Sequence, residues 1–234
     1  IQEIVQKQYP NSRVLRMDYD TTKGKEGHGE ILEAFSRREA DILIGTQMIV
    51  KGHDFPNVTL VGVLAADLSL HGDDYRCAER TFQLLTQAVG RAGRGEKPGE
   101  ALIQTYQPEH YSIQAAARQD YRRFYEEEMG YRTLLGYPPA EHMMAVLGSC
   151  QEEERLNQAM EYLKRFIQRV YTKKDLRVIG PAPQSVGRVK DQYKKVIYLK
   201  HAREDVLIYV RDKLEQYMEI NSGFHSMTIQ FDIQ

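Results

Sequence analysis

Asp41-Ile42-Leu43-Ile44-Gly45-Thr46 is the stretch that decides the fold of the first half of this chain. It is a continuous apolar run ending in Gly-Thr, and residues 58–65 form a second run of the same kind. Uninterrupted apolar strands are typical of a parallel sheet covered on both faces. Further strands are predicted at residues 14–17 and 100–106, with helices at residues 30–38 and 75–89. This alternation predicts an α/β fold with right-handed crossovers.

The string Gly136-Tyr137-Pro138-Pro139 interrupts the pattern. Before it, residues 110–135 are predicted to be helical, with a break near Asp120. Because paired prolines cannot continue a helix and stiffen the backbone, we predict a domain boundary here. The predicted domains are residues 1–136 and residues 137–234.

The second domain reads β-α-β-β-α-β. The predicted strands are residues 142–147, 176–179, 195–199 and 227–234, and the predicted helices are residues 152–170 and 205–218. Residues 180–187 are predicted to be a flexible loop. Four strands backed by two helices in this order predict a small α+β, ferredoxin-like domain. That architecture hosts many unrelated functions, so it says little about role.

Composition restricts the class of protein. The chain has 234 residues, of which 41% are hydrophobic and 28% charged, with a formal net charge of −1. These values predict a globular domain pair without a membrane partner. Cys77 and Cys150 lie far apart, which fits a cytoplasmic protein and argues against a cysteine-based zinc site in these residues. A helix pattern that starts at Ile1 without an initiator Met leads us to expect a fragment of a longer protein.

The string Gln87-Ala-Val-Gly90-Arg91-Ala-Gly93-Arg94-Gly95 carries the clearest chemistry. Arginine is permanently charged and can bind two phosphate oxygens at once, while glycine allows a sharp turn and a close approach to a ligand. A charge-stabilising arginine in a nucleotide cleft is a known device of phosphoryl transfer. The alternative is an ordinary helix C-terminus, where glycine caps the helix and arginines complement its dipole.

Other polar groups follow the predicted strands, and ligands bind beyond the carboxyl ends of the strands in such sheets. Thr46 therefore suits a ligand site, although it could simply begin a turn. Asp67, Asp73 and Asp74 have irregular spacing, which favours solvated loop carboxylates over metal ligands, and we predict no metal site. Gly27-His28-Gly29 is half of a glycine-rich motif, and we interpret it as a surface loop.

Three strings together resemble the second motor lobe of superfamily-two helicases. They are Ile44-Gly45-Thr46-Gln47, Lys51-Gly52-His53-Asp54-Phe55 and Gln87-x-x-Gly90-Arg91-x-Gly93-Arg94. The longer stretch from Ile42 to Pro56, Ala78-Glu79-Arg80 and the Leu-Gly-Tyr-Pro-Pro junction resemble the replication-restart DNA helicases of bacteria, the primosomal protein N′ family. That resemblance covers almost the whole chain. It implies a RecA-like lobe that lacks the family's zinc-binding insertion, followed by the family's C-terminal domain.

The resemblance also implies roles for individual residues. Arg94 is the expected arginine finger, Arg91 supports it, and Gln87 belongs to the same coupling element. Gly52 and Asp54 are expected to line the ATP cleft. Gly45, Thr46 and Gln47 are expected to contact the phosphate backbone of DNA.

The implied activity is ATP-dependent 3′ to 5′ DNA unwinding in replication restart and primosome assembly. The implied partners are single-stranded and branched DNA, single-strand-binding protein and primosome proteins. ATP and Mg²⁺ are expected to be held mainly by a first lobe, and zinc by the full-length protein only. Because the chain has no GxxxxGK[ST] string and no acidic box, we expect it to be inactive by itself.

Residues 169–203 carry ten Lys or Arg against only Asp175 and Asp191, with interleaved tyrosines. Basic residues beside aromatic rings suit phosphate contact and base stacking. The predicted contacts are Arg188, Lys190, Lys194 and Lys195. The alternative is a well-solvated basic hairpin.

For the whole chain, two other functions stay open: another superfamily-two nucleic-acid translocase, and a non-catalytic DNA- or protein-binding assembly module.

Overall fold

The computed structural model describes residues 1–18, 25–46, 49, 55–72, 74–95 and 97–234. By its internal contacts the chain divides into two compact units, Ile1–Tyr125 and Glu126–Gln234. Each unit is a mixture of helices and strands, as the alternation in the sequence predicts. No helix within these described ranges is long and apolar enough to cross a membrane.

Helices and strands are mixed along the first unit, with β2 and β3 consecutive among the described elements. Its elements are α1 (Gln2–Gln8), β1 (Val14–Met17), α2 (Lys25–Ser36), β2 (Ile42–Gly45), β3 (Leu60–Val63), α3 (Cys77–Val89), β4 (Glu100–Ile103) and α4 (Tyr111–Ala117). The fifth helix, α5 (Tyr121–Leu135), follows after a break at residues 118–120. The predicted break near Asp120 is therefore confirmed.

The strands of this unit form two separate two-stranded parallel sheets. β1 pairs with β2 with Val14 opposite Ile42, and β3 pairs with β4 with Leu60 opposite Glu100. Parallel pairing is confirmed within each pair. In the described part of the chain the two pairs do not join into one sheet. The expectation of full cover on both faces is wrong for β3 and β4, because Leu60 and Leu102 are exposed.

Two small apolar clusters hold the first unit together. One is centred on Phe82, Leu85 and Phe124, and the Phe82 and Phe124 rings stack with centroids 4.2 Å apart. The other is centred on Met17, Leu32 and Phe55. The first cluster attaches α3 to α4 and to the start of α5, and the second attaches β1 and α2 to the segment that follows β2.

Helix α2 corrects one prediction. It begins at Lys25, so Gly27-His28-Gly29 belongs to a helix and not to a surface loop. Glycine is about 1 kcal/mol less favourable than alanine in a helix, which is why the sequence suggests a loop here. The apolar residues Ile31, Leu32 and Phe35 pack against the Met17 cluster and offset that preference.

The second unit contains one four-stranded sheet and two long helices. The elements are β5 (His142–Cys150), α6 (Glu153–Val170), β6 (Arg177–Val189), β7 (Gln192–His201), α7 (Glu204–Glu219) and β8 (Thr228–Ile233). The strand order is β6-β7-β5-β8, and every neighbouring pair is antiparallel. The predicted sequence of elements, β-α-β-β-α-β, is confirmed.

One face of this sheet carries the core. Met144 lies opposite Leu199 and Val146 lies opposite Ile197 in the β5–β7 ladder, and all four side chains are fully buried. Helix α6 covers them with a stripe of buried side chains at helical spacing, namely Leu156, Met160, Leu163 and Ile167. The alternation of the strands and the 3.6-residue period of the helix agree on the same buried layer.

The predicted flexible loop at residues 180–187 is wrong, because these residues belong to strand β6. Pro181 and Pro183 made a loop the natural interpretation. An edge strand pairs on one side only, so it tolerates residues that cannot donate to a ladder. The β6–β7 register also shifts between Ile179 and Ala182 and again between Pro183 and Arg188, which accommodates the prolines.

The proline-rich junction is fixed inside the second unit by cations. The Nζ of Lys200 donates to the Leu135 carbonyl over 3.2 Å and lies 3.3 Å from the centre of the Tyr137 ring. Arg177 forms an ion pair with Glu141 and donates to the same Leu135 carbonyl over 3.4 Å. Burial, and then the nearby Arg177, lowers the pKa of Lys200.

Candidate functional site

The arginine string begins on the last turn of α3. Phe82, Leu85 and Ala88 are buried on one side of the helix, while Gln87 is exposed on the other. The helix ends at Val89, and the amide of Gly90 still donates to the Thr86 carbonyl over 3.0 Å. Gln87 therefore projects from an ordered helix turn directly before the two arginines.

The loop after α3 is held by glycines. Gly93 has φ +72°, and a Cβ atom there would lie 2.6 Å from the amide nitrogen of Gly99, so a side chain would be strained as well as crowded. The Gly93 amide donates to the Val58 carbonyl over 3.0 Å. A Cβ on Gly95 would collide with the Pro56 carbonyl. The arginine loop thus lies on residues 56–58, which directly follow the predicted ATP-cleft string in sequence.

The two arginines differ in environment. Arg91 is half-buried, and Arg94 is exposed. The Nε of Arg94 donates to the Gly90 carbonyl over 2.7 Å. This bond closes the loop on itself and orients the exposed guanidinium. The helix-end alternative is compatible with Gly90 as the cap, but it does not require the close contacts at Gly93 and Gly95.

Gly45 and Thr46 lie at the carboxyl end of β2. A Cβ on Gly45 would lie 2.5 Å from the Met17 carbonyl oxygen and 2.8 Å from Cγ2 of Ile49, so only glycine fits. Thr46 is exposed, and its carbonyl accepts a hydrogen bond from the Ile49 amide over 3.2 Å. The predicted site residues Gln47, Gly52 and Asp54 lie outside the described residues.

A single small core connects these two loops. Ile49, Phe55 and Val58 all pack in the cluster that contains Met17. Ile49 follows Thr46, and Val58 accepts the hydrogen bond from Gly93 of the arginine loop. The Thr46 turn and the arginine loop are therefore anchored to the same cluster.

Two of the three aspartates considered as metal ligands, Asp67 and Asp74, have structural partners. Asp67 is only 6% exposed, so the prediction of a solvated carboxylate is wrong for it. Asp74 pairs with Arg76 over 3.1 Å and with Arg80 over 2.5 Å. Asp73 lies outside the described residues. Within the described ranges, no three His, Cys, Asp or Glu side chains come together as metal ligands would.

The basic residues of the second unit lie on the β6–β7 hairpin. Arg188 is opposite Tyr193 in the ladder, and its guanidinium carbon lies 4.9 Å from the centre of the Tyr193 ring. Lys190 is exposed at the turn, with φ 54°. Because alternate residues of a strand face opposite sides, Lys195 shares the face of Arg188 and Tyr193, while Lys194 lies on the other face. The predicted contacts Lys194 and Lys195 therefore start from opposite faces of β7.

Comparison with known proteins identifies the chain. Residues 1–96 match the family described as helicase conserved C-terminal domain, and residues 133–234 match the primosomal protein N C-terminal domain. Replication restart protein PriA of Bacillus subtilis is 46% identical over 218 residues, which is 93% of this chain and 27% of that protein. The chain belongs to the PriA family.

Other PriA proteins match over similar lengths. The protein from Synechocystis is 40% identical over 92% of this chain and 26% of its own length. The protein from Haemophilus influenzae is 31% identical over 95% of this chain and 30% of its own length. The matched part thus spans 26–30% of the length of these three PriA relatives.

Two supporting residues of the first unit were not anticipated from the sequence. The side-chain amide of Gln119 donates over 3.1 Å to the carbonyl of Thr86, the residue that precedes Gln87. Asp67 accepts hydrogen bonds from the segment that follows β4. Both contacts join residues more than 30 positions apart, and no local sequence signal indicates them.

Proposed function

We propose that this chain is the second motor lobe and the C-terminal domain of an ATP-dependent 3′ to 5′ DNA helicase that acts in replication restart and primosome assembly. The arginine loop carries the proposal, because its glycines hold an exposed guanidinium beside the segment that follows Lys51–Phe55. The name of the relatives, replication restart protein, supports the cellular role.

In this proposal the first domain is a RecA-like lobe over residues 1–136, and residues 137–234 form a ferredoxin-like domain. The parallel pairs β1–β2 and β3–β4 support the first assignment. The order β6-β7-β5-β8 with α6 and α7 supports the second, because it is the order of a split β-α-β sandwich.

Each site residue has a physical task. Arg94 stabilises the charge that develops on the transferred γ-phosphoryl group, and Arg91 supports the loop from its half-buried position. Gln87 couples the occupancy of the ATP cleft to helix α3. Gly52 and Asp54 line the cleft, and Gly45, Thr46 and Gln47 bind a DNA phosphate, for which the glycine allows a close backbone approach.

ATP and Mg²⁺ belong chiefly to a first lobe, and zinc to a separate cysteine-rich segment of the full-length protein. The exposed Arg94 suits an anionic ligand such as a triphosphate. ATP supplies the phosphoryl group whose transfer drives movement along DNA. By itself the chain is expected neither to hydrolyse ATP nor to unwind DNA. Single-strand-binding protein and primosome proteins are the proposed protein partners, in the cytoplasm.

A chimera tests the catalytic part of the proposal. The matching 218 residues of Bacillus subtilis PriA are replaced by this chain, and DNA-stimulated ATP hydrolysis is measured. The unmodified chimera is expected to be active, and Arg94→Ala is expected to lower kcat by roughly 10³-fold or more, since an arginine finger contributes on that scale. Arg118→Ala, an exposed arginine after α4, is the matched control. Full activity of the Arg94→Ala chimera would refute the assignment and favour a non-catalytic assembly module.

A salt titration tests the basic hairpin. Binding of the 234-residue chain to forked DNA is measured by fluorescence anisotropy over a series of salt concentrations. The double variant Arg188→Ala and Lys190→Ala should flatten the logarithmic slope by about one per lost phosphate contact. Arg155→Ala with Arg165→Ala, exposed on α6, is the control. An unchanged slope indicates a merely solvated hairpin.

The neighbouring lysines form an internal comparison. Lys195 shares the face of Arg188, which is also the face that carries Ile197 and Leu199, while Lys194 starts from the opposite face. Both lysines are proposed phosphate contacts, so Lys194→Ala and Lys195→Ala should each flatten the slope by about one. A flattened slope in only one of the two variants would assign the DNA to that lysine's face of the sheet.

A further inference from the structure

A buried carboxylate fixes the main chain at the carboxyl ends of β3 and β4. Asp67 follows β3, and its side chain accepts hydrogen bonds from the Thr105 hydroxyl over 2.6 Å, the Tyr106 amide over 2.9 Å and the Gln107 amide over 3.2 Å. These bonds, that of Thr105 foremost, lower the pKa of Asp67. The segment after β4 is thereby held in one conformation by three donors on a single carboxylate.

The side chain that this anchor displays is aromatic and exposed. Tyr106 is 86% exposed, the highest value among the large apolar side chains that the structure describes, and Leu68 beside the anchor is 79% exposed. Other surface tyrosines are partly covered; the Tyr162 ring, for example, has the Arg165 guanidinium carbon 5.7 Å from its centre. No aromatic ring or cation among the described residues covers the Tyr106 ring. A well-anchored backbone therefore presents a free aromatic face.

The position and the polar neighbours of Tyr106 suit a nucleobase. Ligands of parallel α/β sheets bind beyond the carboxyl ends of the strands, which is where Tyr106 lies. The side-chain amide nitrogen of Gln107, the next residue in the chain, lies 3.4 Å from Nε2 of His71. An unstacked base has a flat apolar face and a polar edge, and it can use the ring and these groups together.

We propose that Tyr106 is a stacking platform for one base of single-stranded DNA. This inference rests on the proposed function, because it specifies how the lobe contacts the strand along which it moves. The contact is with a base, so it is distinct from the phosphate contacts assigned to Thr46 and to the hairpin. Asp67 is a positioning residue that fixes the main chain under the ring.

The test measures binding of the 234-residue chain to fluorescein-labelled oligo(dT) and to an abasic oligonucleotide of the same length. Tyr106→Ala is expected to weaken oligo(dT) binding by roughly 10-fold, within the range measured for base–aromatic stacking. The salt slope should stay unchanged, because stacking releases no counterion. Tyr106→Phe should bind oligo(dT) like the unmodified chain, and Tyr162→Ala, an exposed tyrosine on α6, is the matched control.

The abasic arm separates stacking from an indirect effect. Abasic DNA should bind equally to the unmodified chain and to Tyr106→Ala. Equal oligo(dT) affinity of these two proteins, as expected for a protein-docking residue, would overturn the platform and leave the proposed function intact. Equal losses on both oligonucleotides would also overturn it. No binding of either oligonucleotide by the unmodified chain would count against both proposals.

Discussion

Gln119 and Thr86 join the α4–α5 turn to the end of α3. The Gln119 amide donates to the Thr86 carbonyl over 3.1 Å, and the same carbonyl accepts from the Gly90 amide over 3.0 Å. Gln119 adopts φ 56°, a conformation that most side chains disfavour. The contact therefore supports the helix turn that precedes the arginine loop.

Gln119→Ala should weaken this turn. Loss of one hydrogen bond is expected to lower the free energy of unfolding by about 1 kcal/mol and to speed hydrogen exchange at the Gly90 amide. Gln119→Gly loses the same bond but relieves the strained φ, so it should be less destabilising than Gln119→Ala. Gln83→Ala, on the exposed face of α3, is the control. Unchanged exchange at Gly90 in Gln119→Ala would contradict the structural role.

Asp41 should make the first unit sensitive to acid. Arg13 donates to the Asp41 carboxylate over 3.1 Å from its Nε and over 2.8 Å from its backbone amide, and these bonds, the side-chain bond foremost, lower the pKa of Asp41 from 3.8 to about 2. Since the folded pKa lies below the unfolded value, the stabilisation is present above pH 3.8 and is lost as the pH falls towards 2.

The measurement is thermal unfolding of the chain and of Asp41→Asn across this range. The difference in Tm should be constant from neutral pH down to about pH 4 and should shrink below it. Glu3→Gln, at the exposed start of α1, serves as the control for general charge effects. If the difference in Tm instead grew as the pH falls, the pKa of Asp41 would be raised by folding and the prediction would be wrong.

Glu128→Ala should destabilise the second unit strongly. Glu128 pairs with Arg132 over 2.7 Å, and the two side chains are only 8% and 11% exposed. Removal of the carboxylate leaves a buried guanidinium, which is expected to cost about 3–5 kcal/mol in urea unfolding. Glu127→Ala, on the exposed side of the same helix, should change stability by less than about 0.5 kcal/mol. Equal effects of the two variants would contradict this prediction.

Two glycines of the second unit should respond oppositely to alanine. A Cβ on Gly148 would lie 2.6 Å from Sδ of the fully buried Met160, so Gly148→Ala is expected to cost about 1–3 kcal/mol. A Cβ on Gly130 of α5 meets nothing within 4 Å, so Gly130→Ala should stabilise by up to about 1 kcal/mol. Thermal unfolding of both variants decides the comparison, and a stabilising Gly148→Ala would refute the packing of α6 on β5.

The spacing of apolar residues predicts those helices and strands in which every apolar side chain faces the same buried layer. The apolar stripe of α6 and the alternation of β8 were readable because each apolar residue packs on a single layer. β6 was readable only in part, because Pro181 and Pro183 are typical of loops unless the strand is known to lie at an edge. The predicted helix begins at residue 30, five residues later than α2, because Gly27 and Gly29 disfavour a helix locally. The core contacts that stabilise α2 are made with residues distant in sequence, so the local pattern does not indicate them.

The site was predictable to the extent that it is local. Gly93 and Gly95 predict a tight loop, and the positive φ of Gly93 and the close contacts of both glycines confirm it. Its attachment to Pro56 and Val58 depends on contacts across more than 30 residues, which no short pattern carries. The burial of Asp67 was missed for the same reason, since its donors lie on the segment after β4.

The Leu135 carbonyl has a practical consequence for dissecting this protein. Lys200 and Arg177 both donate to it from the sheet of the second unit. A truncated chain that begins at Tyr137 would delete this acceptor and deprive a buried ammonium of its oxygen partner, at a penalty typical of unsatisfied charge. Truncations for isotope labelling or crystallisation should therefore begin no later than Leu135, and a start at Glu126 keeps the whole second unit as well as the acceptor.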